Sequence, residues 1–353
     1  MQDRENRMLY DGSAFSRLWE KSAIGILTDG TGLLLADSEV IFCREHRGVE
    51  FIGLEEQDSY SKWIEQRICN NDKILQEAAI LEALRLSGNK VVLSENFEAL
   101  GLKPSRSWAM RWSSENHPSR GDPESEIIWF ESKDLLHDKP NGGLTTLEDL
   151  LLWCVEVEDR GRIPEVLVID EEHSVVTYRL SEADPTGDMA ELTIEIISDI
   201  SNLDRSPLGE NGDFYPSVKM WPHESVGIPL HGGRQLDRIE SEVIYSNDKE
   251  SMSVTASILN DLWSRGLNTR SGFKYGTTWR CYSGEVGEGH APWLVVDPTS
   301  EGPENWAEAC LSSRLASGVN KKWLYPIYDI ERWRYLQISR PPSDSRWSNP
   351  KRI

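Results

Sequence analysis

Apolar residues along the chain follow two spacings, one helical and one alternating. From Ile74 to Leu84, the residues Ile74, Leu75, Ala78, Leu81 and Leu84 recur near helical spacing, and Gly88 stands where that helix would end, before Val91-Val92-Leu93. Val254, Ile258, Leu259 and Leu262 repeat the spacing about 178 residues later, and Gly266 closes the segment in the same way. Downstream, Trp108-Ala109-Met110-Arg111-Trp112 lies on Thr278-Trp279-Arg280-Cys281-Tyr282, and Ser125–Phe130 on Ala291–Val296, as short strand-like runs. Glu165–Asp170, an acidic turn and Val175–Leu180 match Trp323–Asp329, a turn and Trp333–Ile338. In both places an amphipathic helix comes just before, around 147–157 and 306–319. Three matches in one order predict an α+β chain of two tandem related repeats, 1–185 and 186–353, each with a mixed β-sheet and packed helices. The seam falls near Asp184-Pro185-Thr186-Gly187. Residues 200–235, rich in Gly, Pro and Asp, read as loops with short strands, and His223 and His231 carry no functional signal. The first 20 residues are silent.

Composition narrows the class. The 353 residues are 38% hydrophobic and include 14 Trp, too many apolar anchors for a disordered acidic tail. Nothing approaches the roughly 18 continuous apolar residues of a membrane helix, and Met1–Arg7 contains no apolar signal core, so a cytoplasmic protein without a membrane span is expected. Five cysteines without a CxxC pair suit neither a zinc ribbon nor a disulfide framework. With 38 Lys and Arg against 59 Asp and Glu, the net charge is −21, which argues against indiscriminate binding to phosphate chains. The charge is uneven, however. From Asp261 to Ile353 there are 13 basic and 10 acidic residues, so this part carries +3 and residues 1–260 carry −24. A local basic site is compatible with that distribution; the acid excess is equally compatible with a solubility adaptation.

The basic part contains GFKYGTTWRCY (272–282), HAPWLVV (290–296) and SRLASGVNKKW (313–323). In order and spacing these resemble the tRNA-splicing endonuclease family, strongly over about 80 residues and, through the duplication, weakly over most of the chain. The resemblance implies a nuclease-like subdomain in the C-terminal part of each repeat. It also implies catalytic residues Tyr282, His290 and Lys321, with Lys322 the alternative to Lys321. The Tyr282-to-His290 loop is a few residues shorter than the family pattern. Trp112, Glu124 and Arg162 stand at the corresponding positions of the first repeat and suit none of these roles, so only the second repeat should be catalytic.

The chemistry fits these side chains. RNA supplies its own nucleophile, the 2′-hydroxyl, so cleavage needs a base, an acid and a cation, and no cofactor or metal. An imidazole donates near neutrality, which makes His290 the general acid. Lys321 would stabilise the crowded phosphate. Tyr282 is either the base or the group that orients the 2′-hydroxyl, since a phenol is mostly protonated at pH 7. Arg314, seven residues before Lys321, could share a helix face with it, and the resemblance implies that it clamps an unpaired bulge base by stacking. The implied substrate is precursor tRNA folded as a bulge-helix-bulge, cut to 2′,3′-cyclic phosphate and 5′-hydroxyl ends. The implied assembly is a homodimer in which Asp170, Glu171 and Glu172 dock into the partner's catalytic repeat. Two other classes compete: a carboxylate-metal nuclease, for which no acid-x-Lys strand pattern is found nearby, and a non-catalytic RNA-binding or assembly subunit. Cleavage in EDTA separates the first from a metal-free enzyme.

Overall fold

The helices predicted from apolar spacing form, and glycines close two of them where a left-handed residue is needed. In a computed structural model that describes residues 7–28, 32–136, 146–216, 220–246, 251–287 and 289–349, Gly88 and Gly266 adopt φ +93° and +73° after their helices. The chain divides into two compact units. One comprises Met1–Leu180, Asn305–Ala307 and Arg340–Ile353; the other comprises Ser181–Glu304 and Glu308–Ser339. Residues 305–307 and 340–353 thus group with the first unit although they follow most of the second in sequence.

The first unit opens with strands β1 (Met8–Tyr10), β2 (Ile26–Leu27) and β3 (Leu33–Leu35), ordered β1-β3-β2, and helices α1 (Asp37–Arg47) and α2 (Gln57–Ile68). Helix α3 (Ile74–Leu86) leads to β4 (Lys90–Leu93), β5 (Ala109–Trp112) and β6 (Ser125–Glu131), consecutive antiparallel neighbours. Helix α4 (Leu147–Asp159), capped by Thr146 accepting from the Asp149 N–H, crosses to β7 (Ile163–Ile169), which runs parallel to β6. A tight hairpin returns as β8 (Val175–Ala183), paired with β7 through Arg179. Ala79, Leu84, Val91, Ile127, Trp129, Leu167 and Val175 fill the core between α3 and these strands, with Trp347 packed against it. The returning segment is held by specific bonds. The Thr177 hydroxyl bonds both backbone groups of Trp347 at 2.9 Å, Asn349 bonds the Val175 N–H and the His173 carbonyl, and Trp306 stacks on Phe130 at 4.2 Å.

The second unit starts with α5 (Ile194–Ser201) and the small strands β9 (Ser206–Pro207), β10 (Asp213–Pro216), β11 (Ile228–Leu230) and β12 (Gly233–Leu236), a sheet ordered β11-β12-β10-β9. Helix α6 (Arg238–Tyr245) begins with an Asp237/Glu240 capping box. Then the element order of the first unit recurs: α7 (Val254–Ser264), β13 (Asn268–Ser271), β14 (Trp279–Tyr282), β15 (Trp293–Val295), α8 (Trp306–Gly318), β16 (Lys322–Asp329) and β17 (Arg332–Ser339). β13 to β15 are antiparallel neighbours, β15 and β16 are parallel, and β16 and β17 form a hairpin. Ile258, Leu262, Trp263, Trp279, Cys281, Leu324 and Tyr335 belong to one buried cluster.

Residues 187 and 188 are tied to the backbone of their own unit. The Gly187 N–H bonds the Arg265 carbonyl at 2.9 Å, and the Asp188 N–H bonds that of Ser283 at 2.6 Å. A Cβ on Gly187 would stand 2.2 Å from the Gly266 carbonyl oxygen, so two glycines let these backbones touch. No helix among the described residues is long and apolar enough to cross a membrane.

Candidate active site

Strand direction brings the three candidate side chains to one end of the second unit's sheet. β14 ends at Tyr282, and its antiparallel neighbour β15 starts there, with Cys281 facing Trp293. β16 is parallel to β15, with Trp293 facing Lys322, so its start lies at the same end. Tyr282 therefore closes one strand, His290 precedes the second by three residues and Lys321 immediately precedes the third. Backbone bonds fix the arrangement: the Lys322 N–H donates to the Pro292 carbonyl at 2.9 Å.

Each side chain has a distinct environment. His290 is exposed at the end of the loop that follows β14. Tyr282 is half-buried, with the Arg280 guanidinium carbon 5.7 Å from its ring centroid. The ammonium of half-buried Lys321 donates to the Ala291 carbonyl, the residue after His290, and lies 5.4 Å from the Tyr275 ring centroid. Lys322 is exposed. Tyr275 belongs to the single turn Phe273–Tyr275, whose Phe273 is 87% exposed.

The reading of Arg314 needs a correction. α8 stops at Gly318, and the chain turns through Asn320 at φ +54° before Lys321. Lys321 therefore lies off the helix, and a two-turn helical spacing does not describe its relation to Arg314. Arg314 is exposed on α8, flanked by Leu311 and Leu315, which are half exposed. The acidic Asp170, Glu171 and Glu172 occupy the turn between β7 and β8, all exposed. The Asp170 carboxylate accepts from the N–H groups of Glu172 and Ser174 at 3.0 and 2.8 Å, which shapes the turn and leaves Glu171 and Glu172 pointing to solvent.

The corresponding end of the first unit is spanned by ion pairs. Arg111 makes a two-pronged bond to Glu165, at 2.8 and 3.1 Å, and reaches Glu124 at 3.3 Å. Glu126 takes Arg162 at 2.7 Å, Arg160 at 3.0 Å and the Ser107 hydroxyl at 2.7 Å. Burial pushes the Glu126 carboxyl up, but the Ser105 and Ser107 hydroxyls and the two guanidinium groups outweigh it and hold it low. The Trp112 indole N–H donates to the Gly121 carbonyl at 2.7 Å. Trp112, Glu124 and Arg162 are thus engaged in internal bonds.

Sequence reading missed Tyr275, the strap from Asp188 to Ser283 and the placement of Arg280. The last was within reach, because residues two apart on a strand share a face. Among the described residues no three His, Cys, Asp or Glu side chains converge as a metal site would require. Four cysteines are buried and Cys69 is exposed, and none is in a disulfide; burial pushes the Cys43 thiol up to about 12.

Comparison with known proteins matches residues 254–333 to the family described as tRNA intron endonuclease, catalytic C-terminal domain. This stretch runs from α7 into β17 and contains Tyr282, His290, Arg314 and Lys321. The chain is 30% identical over 172 residues to a tRNA-splicing endonuclease of Thermoplasma volcanium, covering 49% of this chain and 53% of that one. It is 28% identical over 174 residues to the enzyme of the same name from Picrophilus torridus, covering 49% and 55%. A third, from Methanococcoides burtonii, is 24% identical over 255 residues, covering 64% and 69%. The chain spans about half the length of the first two relatives.

Proposed function

We propose that this chain, whose residues 254–333 match the catalytic domain of the tRNA intron endonuclease family, cuts precursor tRNA at its exon–intron junctions. The observation that carries the reading is the convergence of Tyr282, His290 and Lys321 at neighbouring strand ends. In the reaction the substrate 2′-hydroxyl gives up its proton and attacks the adjacent phosphorus, and the bond from phosphorus to the 5′-oxygen breaks. His290 protonates the departing oxygen, a contribution of about 10²- to 10⁴-fold. Lys321, whose ammonium donates to the Ala291 carbonyl, offsets the negative charge gathered on the phosphoryl oxygens. Tyr282, when ionised, takes the proton of the 2′-hydroxyl; when protonated, it orients that hydroxyl and solvent takes the proton. The products are a 2′,3′-cyclic phosphate and a 5′-hydroxyl, and no metal takes part.

The substrate in this reading is the bulge-helix-bulge, whose unpaired bases can be reached, unlike base edges in the deep groove of an A-form helix. Exposed Arg314 stacks on a bulge base. The chain is a duplication with its seam near residue 185, supported by the recurring order of elements, and its first half is a non-catalytic docking repeat. Two chains pair, each offering Asp170, Glu171 and Glu172 to the other's catalytic half.

The test is incubation of the purified chain with an intron-containing precursor tRNA in EDTA, followed by mapping of cut sites and end chemistry. Two cuts at the bulges, with cyclic phosphate ends, support the reading, and His290→Ala should then abolish cutting while sparing binding. Binding without cutting would make the chain an assembly subunit; loss of cutting in EDTA would make it a metal enzyme.

A further inference from the structure

The buried and half-buried arginines of this acidic chain are typically matched to carboxylates. Arg85 bonds Glu39, Arg111 Glu165, Arg162 Glu126, Arg234 Glu224, Arg265 Asp261 and Arg334 Glu182, all at 2.6–2.9 Å. Arg280 differs. It is half-buried in β14, and among the described residues it has no carboxylate and no hydrogen-bond partner, its Nε being fully enclosed. Directly opposite on β13 stands Arg270, another cation, whose own guanidinium is taken up by the backbone carbonyls of Glu224, Ser225 and Thr269. Like charges facing across a strand pair repel, and a partly desolvated, unpaired guanidinium costs free energy. Within the fold, the contact that Arg280 does make is with the Tyr282 ring, which leaves its charge without an anion.

Strand alternation puts Arg280 on the same face as Tyr282, while Trp279 and Cys281 turn into the core cluster. Its guanidinium lies against the Tyr282 ring. Where the first unit's strand β5 aligns with β14, the residue matching Arg280 is Met110, apolar and completely buried. The cation occurs in the half that carries the candidate catalytic residues and is replaced in the half that does not.

We propose that Arg280 binds a backbone phosphate of the RNA strand lying across Tyr282, its unmatched charge being the partner of an anion that arrives with the substrate. This rests on reading Tyr282, His290 and Lys321 as the active site. A guanidinium suits the task because its fork of N–H groups bonds phosphate oxygens in pairs.

The test uses Arg280→Met, which installs the residue the first half tolerates, and Arg280→Lys. Binding is measured against salt with a precursor tRNA carrying 2′-deoxy nucleotides at both cut sites, and thermal midpoints are recorded. Arg280→Met should melt at or above the wild-type midpoint, because an unpaired charge has been removed. Its affinity should fall about tenfold to a hundredfold, the worth of a charge-assisted hydrogen bond. The slope of log affinity against log salt should become shallower by roughly 0.7–0.9. Arg280→Lys should keep most of the slope and lose part of the affinity. A lowered midpoint with an unchanged salt slope would mean that Arg280 is structural and overturn the proposal. If wild type cuts and Arg280→Met binds equally well, the phosphate contact is overturned and the active-site reading stands. If wild type leaves the natural precursor, without 2′-deoxy substitution, uncut, that reading fails and this inference fails with it.

Discussion

Arg111→Met tests whether the ion pairs of the first unit are structural. Glu165 is fully buried, and the two bonds from Arg111 are its main compensation. Without them the carboxylate keeps the Ser125 hydroxyl at 2.7 Å and the Arg179 Nε at 4.0 Å. Breaking a buried pair from one side costs about 3–5 kcal/mol, against a total stability of roughly 5–15 kcal/mol for a domain. For a unit of roughly 200 residues each kcal/mol shifts the midpoint by about 2–4 °C, so the variant should melt roughly 6–20 °C lower. Arg111→Met with Glu165→Leu removes both charges and leaves Ser125 as the main unpaired group, a cost of about 1–2 kcal/mol. The double variant should therefore recover more than half of the loss. Chemical and thermal denaturation of wild type, both single variants and the double variant close the cycle. A single variant within about 1 kcal/mol of wild type, or a double variant as weak as the single, would refute the idea that the pair is a buried, mutually dependent unit.

Other consequences are as direct. Burial, helped by the Asp237 charge, raises the Glu240 carboxyl to about 7. The folded chain thus holds a proton that the unfolded chain releases near pH 4.5, so stability should fall as pH rises from about 4.5 to 7, by roughly 3 kcal/mol for this group. Glu240→Gln should flatten that part of a urea-midpoint profile, and an unchanged slope would assign it to other groups. Gly187→Val would set a Cβ 2.2 Å from the Gly266 oxygen and 2.8 Å from that of Ser283; a loss of about 1–3 kcal/mol or more is expected by calorimetry, and a wild-type melt would contradict the close approach. Changing Asp170, Glu171 and Glu172 to lysine should shift the protein toward monomer in light scattering, and a fully dimeric variant would end the docking proposal.

Regular elements were legible in the sequence because their cores follow simple periods. Ile74 to Leu84 and Val254 to Leu262 repeat at helical spacing and form helices ending before Gly88 and Gly266. The apolar runs 165–169 and 323–328 lie within β7 and β16. Polar residues inside strands were harder, since Arg111, Glu126 and Glu165 read like a solvent face yet are buried. Arg111 meets Glu165 across 54 positions, and Glu126 meets Arg160 and Arg162 across 34 and 36, separations that no local period records. The candidate site was legible through motif resemblance, whereas the geometry around it depended on a turn at Asn320 and on register between strands.

The segment 340–349 also sets the order in which this polypeptide can mature. Trp347 and Asn349 complete a unit whose other residues are synthesised long before them. While the chain is still emerging from the ribosome, the Thr177 hydroxyl and the Val175 N–H await partners not yet made. Two genes divided at residue 185 would give a first product lacking part of its own packing. Fusions placed after residue 349 should be judged by the melting of the first unit as well as by activity.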